Sequence, residues 1–412
     1  MTATRGSLNV GVVGMGNMGI PILRNLAFKA RGAFYLQIHS RSLNKARRVC
    51  DDLGVDGATC AMRLHHRYHT LTKWAEVILV VLADRGAAAR VLLEDAEALL
   101  PNARAGQIIV DHTTVDVGLS RACAAAAAGR GATFLDAPMD GSPRAVFNGQ
   151  LGLMVGGPAE AFQRLQPIFR MYADNINHMG EAGAGSAAKL LAQALVASHN
   201  AAAAEAMTIA NRLGIEDHAR LMQVLDASWG SSTMLRRNAP TMQDLVRNPD
   251  KLPPTSGATV GHLLEDLSLL DSSLSAAAGG GEEEEEEKFP VMDSALRMLG
   301  AASEAGMGDR DLSAVIHFIQ AAVEIEREER RTSTLAKHLT NGAGGKAKAN
   351  MEAFQPRGLT SAAFLMDNEN SNTNDAKGAS QNTAESPTTA TTTKDGKDNE
   401  EGSIEFTYED FY

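Results

Sequence analysis

At about 150 residues per domain, a chain of 412 residues is too long for one ordinary domain, so two or three parts are expected. Hydrophobic residues make up 44% and aromatics only 5%, so a core must be built from Ala, Leu, Val, Ile and Met, which favours helices and buried parallel strands over an aromatic-rich sandwich. The 39 basic and 50 acidic residues give a net charge of -11, a sign that gains no affinity from phosphate backbones or anionic lipid and argues against nucleic-acid and membrane partners.

Residues 8 to about 180 alternate short apolar runs with amphipathic stretches: LNVGVVG, a helix through PILRNLAFK, FYLQIHS, AEVILVVLA, QIIVDHT and TFLDAPM. Runs of this length separated by helical patterns predict βαβ units around a buried, doubly wound parallel sheet, an α/β fold. From about Ala182 the texture becomes a long Ala/Leu-rich helix that should stop at Gly214, and helical segments continue to about Arg331. The stretch from Ser275 to Lys288 holds six consecutive glutamates, Glu282 to Glu287, which repel one another and predict a disordered acidic insert. From Thr332 to Tyr412 large apolar residues are scarce, and a disordered tail is expected, with FTYEDFY at its end as a candidate docking motif. The expected domains are therefore 1–180 (cofactor-binding), 181–331 (all-α, with an insert at about 275–288) and 332–412 (tail).

The negative charge can be located. Thr332 to Tyr412 carries seven basic and twelve acidic residues, and the glutamate run adds six negative charges, so the remainder of the chain is neutral. Three cysteines, Cys50, Cys60 and Cys123, are an odd set without metal-type spacing and fit a reducing, cytoplasmic setting rather than a disulfide framework. A strand-like run begins within about ten residues, leaving no room for a signal peptide, and no stretch of 18 apolar residues predicts a membrane span.

The first strand ends in Gly14, Met15, Gly16, Asn17, Met18 and Gly19, a G-x-G-x-x-G between a predicted strand and a predicted helix. Gly14 permits the tight turn, Gly16 lets a pyrophosphate approach the backbone, and Gly19 allows close helix–strand packing, as in a Rossmann-type dinucleotide site. An NAD site usually places Asp or Glu at the end of the second strand, yet no acidic residue occurs from Ile20 through Cys50. That strand ends instead in Ser40, Arg41 and Ser42, whose guanidinium and hydroxyls suit a 2′-phosphate, so NADP is expected over NAD.

These motifs, with those downstream, resemble the β-hydroxyacid dehydrogenase family, which includes 3-hydroxyisobutyrate dehydrogenases and glyoxylate/succinic semialdehyde reductases. The resemblance runs from about Leu8 to Gln320 and rests on GVVGMGNMGIPILRNL, FLDAPMDGSPRAVFNGQLGLMVGG, GAGSAAKLLAQ, and EDLSLL followed by GMGDRDLSAVI. It implies a homo-oligomeric enzyme acting on a small molecule, with no metal and with Lys189 as general acid/base. Hydride delivery to a carbonyl creates an alkoxide, which needs a nearby proton donor or cation. By the same resemblance Gln193 is a catalytic partner, and Leu82, Ala83, Thr114 and Glu265 lie near the cofactor, while Asp140, Gly141 and Ser142 form the substrate segment.

The departures are specific. Gln193 stands where the family has Asn, Asp140 where it has Ser, Ser142 where it has Gly, and Glu265-Asp266 where a Lys-Asp pair is expected. An ionised Asp140 would repel a substrate carboxylate, so a neutral hydroxy compound, an aldehyde or a cationic imine-like compound is expected instead. The rival from another class is an NADPH-binding scaffold or sensor with impaired turnover. No tyrosine is followed by Lys in a Tyr-x-x-x-Lys pair, which excludes short-chain dehydrogenases, and the histidine group Leu64–His69 is expected on a surface αβ connection rather than at a metal. Ala188, not His, precedes Lys189, which sets the chain apart from the 6-phosphogluconate dehydrogenases.

Overall fold

The computed structural model describes residues 8–255, 257–277 and 289–342. Among the described residues, those up to Gln320 form one compact unit and those from Ala321 belong to a second.

The first unit opens with β1 (Leu8–Val13), α1 (Gly19–Lys29), β2 (Phe34–His39), α2 (Leu43–Val55) and β3 (Ala61–His65). There follow β4 (Val77–Val80), the short α3 (Arg85–Ala89), β5 (Ile108–Asp111), α4 (Val117–Ala128) and β6 (Thr133–Asp136). These six strands pair in parallel in the order β3-β2-β1-β4-β5-β6, the Rossmann arrangement. Because side chains alternate across a strand, Val77, Leu79, Ile108 and Val110 enter one core with Ile22, Leu23 and Leu26 of α1. Their neighbours Ile78, Val80 and Ile109 enter the opposite core with Leu92 and Leu119. Both faces are covered, as a parallel sheet requires.

The sheet continues through β7 (Met139–Asp140), α5 (Pro143–Asn148), β8 (Leu151–Gly156), α6 (Ala159–Phe169) and β9 (Ala173–Gly180). Beyond the expected parallel sheet, β8 runs antiparallel to both β6 and β7, and β9 pairs with it in parallel. The links from β6 through β7 to β8 are too short for a crossover, so the chain reverses. The histidine group is also not wholly a loop. His65 ends β3 and is buried, its Nδ1 lying 2.8 Å from Thr70 Oγ1 and its Nε2 2.7 Å from Gln37 Oε1.

The helical half begins with α7 (Ala184–Arg212), followed by α8 (His218–Asp226), α9 (Thr233–Arg247), α10 (Val260–Ala277), α11 (Pro290–Ala302) and α12 (Val315–Gly342). The long helix stops where expected, with Gly214 at φ 70°, a conformation that only glycine adopts without cost. Buried polar groups pin its middle: Asn238 Nδ2 donates to Asn200 Oδ1 at 2.6 Å, and Asn200 Nδ2 donates to the Leu312 carbonyl at 2.9 Å. Helix α10 reaches Ala277, so the first three residues of the expected insert are helical, and residues 278–288 lie outside the described ones. Helix α12 likewise runs past the expected tail start at Thr332 to Gly342, carried by a charged stretch that supports i,i+3 pairs such as Arg331–Glu328 at 3.6 Å. Residues 343–412, FTYEDFY included, lie outside the described residues. No helix among the described residues is long and apolar enough to cross a membrane.

Candidate active site

Strand register brings the predicted residues to one edge. Val13 pairs with both His39 and Val80, Val80 pairs with Asp111, and Asp111 pairs with Asp136, so β1, β2, β4, β5 and β6 end level at their carboxyl termini. The loops that follow carry Gly14–Gly19, Ser40–Ser42, Leu82–Ala83 and Thr114. Ligands of open α/β sheets bind at this edge.

In the glycine turn, Gly14 has φ 104°, and a Cβ there would overlap the Val81 carbonyl oxygen; a Cβ on Gly19 would overlap the Gly14 carbonyl oxygen. Packing alone forces both. Gly16 differs, because it is exposed and a Cβ on it would meet nothing within 4 Å. Met15 turns into the core, Asn17 is exposed, and Met18 caps α1 without a side-chain hydrogen bond. The turn is thus a cradle that a Cβ would fill, beside helix-terminal amides suited to an anion. These residues fit a dinucleotide.

At the end of β2, Ser40 is buried and Arg41 is exposed. Ser42 caps α2, its Oγ accepting from the Lys45 amide at 3.4 Å, which leaves its hydroxyl proton free to donate. Leu82 is half-buried, Ala83 exposed and Thr114 half-buried. A residue that sequence reasoning passed over links them: Thr113 Oγ1 accepts from the Leu82 amide at 3.2 Å, tying the loop after β4 to the end of β5. The repeated threonine in DHTT was its only signal. Next to it, burial pushes the Asp111 carboxyl up to about 7, against the Thr113 amide that donates to it at 3.0 Å. Burial also lowers His112 to about 4; its Nδ1 lies 2.7 Å from the Ala137 carbonyl and its Nε2 3.0 Å from the Tyr172 hydroxyl.

The second group is assembled at the start of α7. Asp136, at the end of β6, accepts from the amides of Gly183 and Ser186, each at 2.8 Å, satisfying donors that a helix N-terminus otherwise leaves open. A Cβ on Gly185 would overlap the Met154 carbonyl oxygen, so the helix starts hard against β8. Burial raises the Asp136 carboxyl, with the Gly183 and Ser186 amides pulling the other way. Asp136 was not singled out in the sequence either, since nothing local marks a carboxylate that caps a helix 47 residues later.

One turn on from Ser186, Lys189 is buried and its Nζ donates to Asp140 Oδ1 at 3.3 Å. The next turn brings Gln193, whose Nε2 donates to Asp266 Oδ2 on α10. Burial holds the Asp266 carboxyl above the usual carboxylate range, opposed by the Gln193 amide and by the Lys189 and His262 charges. Asp266, rather than Glu265, therefore faces the lysine; Glu265 is exposed. Gly141 turns the chain after β7 at φ 135°, and Ser142 caps α5, its Oγ accepting from the Ala145 amide at 3.3 Å. The arrangement combines a dinucleotide cradle with a buried ammonium flanked by two carboxylates.

Residues 9–180 match the family described as the NAD binding domain of 6-phosphogluconate dehydrogenase, and residues 183–319 match the NAD-binding domain of NADP-dependent 3-hydroxyisobutyrate dehydrogenase. An L-threonate dehydrogenase of Cupriavidus necator is 30% identical over 314 residues, 75% of this chain and 95% of the relative. Glyoxylate/succinic semialdehyde reductase 1 of Arabidopsis thaliana is 27% identical over 78% of this chain and 100% of its own length. Among solved structures, a Mycobacterium tuberculosis 3-hydroxyisobutyrate dehydrogenase with L-serine superposes with a TM-score of 0.61 at 26% identity, covering 76% of this chain and 99% of the other. The chain belongs to the β-hydroxyacid dehydrogenase family, a family of pyridine-nucleotide-dependent oxidoreductases.

Proposed function

We propose that this chain is an NADP(H)-dependent dehydrogenase of a small hydroxy or carbonyl compound, with Lys189 as general acid/base. The observation that carries this reading is the buried Lys189 ammonium, held on a helix whose start is bonded to the edge of the sheet that bears the glycine turn. Relatives named for oxidation of hydroxy acids and reduction of semialdehydes support the reaction type. When bound, the nicotinamide supplies or accepts the hydride. Lys189 gives its proton to the oxygen of a carbonyl being reduced, or takes it from a hydroxyl being oxidised, and its charge steadies the alkoxide between. Gln193, bonded to Asp266, borders the same space and positions the substrate oxygen.

For the cofactor, Gly14–Gly19 hold the pyrophosphate, Leu82, Ala83 and Thr114 border the nicotinamide half, and Arg41 with Ser40 and Ser42 takes the 2′-phosphate. Glu265, by its resemblance position, borders the same half, and Asp140, Gly141 and Ser142 line the substrate space. Arg41→Ala should raise the KM for NADPH about tenfold or more and leave that for NADH nearly unchanged. Steady-state kinetics with both nucleotides checks it, and an equal effect on the two would show that Arg41 does not read the phosphate.

The division of labour we propose is residues 1–180 for the cofactor and the helices from 181 onward for substrate and assembly. Helix α7 presents Leu191, Leu195 and Ile209, and its capping residue Leu213 continues the same face, all between 55% and 73% exposed. This apolar stripe, about 33 Å long, is the contact of a homo-oligomer. Light scattering on the purified chain should give a multiple of 43.6 kDa, and Leu191→Glu with Leu213→Glu should shift it to the monomer mass. A monomeric wild type would remove this part of the reading. The three thiols, Cys50, Cys60 and Cys123, are unpaired, which supports a cytoplasmic location.

A further inference from the structure

We propose that Asp140 selects substrates by charge, so that the compound taken is a hydroxy or carbonyl compound carrying no carboxylate beside its reacting carbon. The proposal rests on the dehydrogenase reading and deepens it.

The geometry of one ion pair carries the argument. Asp140 Oδ1 lies 3.3 Å from Lys189 Nζ, and the two side chains are 62% and 10% exposed respectively. The carboxylate is thus the open member of the pair and stands on the solvent side of the ammonium. A compound that brings its oxygen to Lys189 Nζ comes within a few ångströms of the Asp140 carboxylate, which is 3.3 Å from that atom. On the inner side Asp266 is within electrostatic reach of the same ammonium. Two carboxylates therefore stand beside one lysine, and His262 adds a charge that acts on Asp266.

A substrate carboxylate in this space would need donors of its own. The Lys189 charge there is already shared with Asp140, and the Ser142 hydroxyl, which accepts from the Ala145 amide, offers a neutral donor but no charge to offset the repulsion. Like charges a few ångströms apart in a partly buried site disfavour each other enough to change selectivity about tenfold or more. A neutral group avoids that repulsion, and a cationic one gains from Asp140.

A matched pair of probes tests this on the full chain with NADP: 3-hydroxyisobutyrate and its methyl ester, which differ in the charge near the reacting alcohol and in one methyl group. Wild type should oxidise the ester with a kcat/KM about tenfold or more above that of the acid. Asp140→Asn and Asp140→Ser should cut that ratio about tenfold or more, chiefly through a lower KM for the acid. Calorimetry in the presence of NADP gives a readout separate from turnover, and the Kd for the acid should tighten by a similar factor in both variants. A wild type that prefers the acid, or a ratio and Kd that do not move, overturns the proposal and leaves the dehydrogenase reading standing. If no variant turns over either probe with either nucleotide, the dehydrogenase reading fails for these alcohols, and the calorimetric comparison alone decides the role of Asp140.

Discussion

Replacing Lys189 with alanine should lower kcat by about 10²- to 10⁴-fold while leaving the Kd for NADPH nearly unchanged, since a positioned acid/base is worth that much and contributes to the chemical step rather than to cofactor affinity. The fold should tolerate the change. Alanine is the best helix former, and Lys189 sits inside the 29-residue α7, whose start is fixed independently by Asp136. Its loss leaves Asp140 without its cation, but that carboxylate is 62% exposed and water takes over its solvation. Lys189→Arg is the informative control, because it keeps the positive charge beside Asp140 and cannot exchange a proton at ordinary pH. Both variants should be slow, by steady-state rates and fluorescence titration of NADPH. Preserved kcat with lost cofactor binding would show that the lysine serves the nucleotide instead. Tight NADPH binding without turnover in wild type, and no effect of the alanine, would favour the scaffold.

The second large effect separates stability from binding within a single turn. Gly14→Ala should destabilise the fold by about 2–4 kcal/mol, because the new Cβ overlaps the Val81 carbonyl and φ of 104° is costly for any other residue. Gly16→Ala should leave stability within about 0.5 kcal/mol, since its Cβ enters open space at an exposed position. It should nevertheless weaken NADPH binding about tenfold or more, because the methyl group fills the cradle that the pyrophosphate needs. Thermal denaturation and fluorescence titration on both variants distinguish the two roles. A Gly16→Ala protein that binds NADPH as wild type does would mean that the nucleotide does not approach the backbone there.

Much of the site was legible because its signals are short-range. A glycine with φ above zero, a strand's alternation and a helix stop at Gly214 are properties of a few consecutive residues, and each was found where the pattern placed it. At the expected acidic insert and tail, the same kind of reading differs from the structure in where the boundary falls. Composition averages over a window, whereas α10 and α12 run on to Ala277 and Gly342.

By itself the amino-acid sequence determined the doubly wound half, the long helix with Lys189, the glycine turn and the basic end of the second strand, all through local patterning. Tertiary structure alone decided which charges meet. Asp140 reaches Lys189 across 49 residues, Asp266 reaches Gln193 across 73, and Asp136 closes the start of α7 across 47. Substitutions that read singly as departures, Asp140 above all, become parts of one charged cluster. The reason is physical: a side chain's electrostatic role depends on what stands within a few ångströms of it, and that is set by how strands and helices pack rather than by chain neighbours.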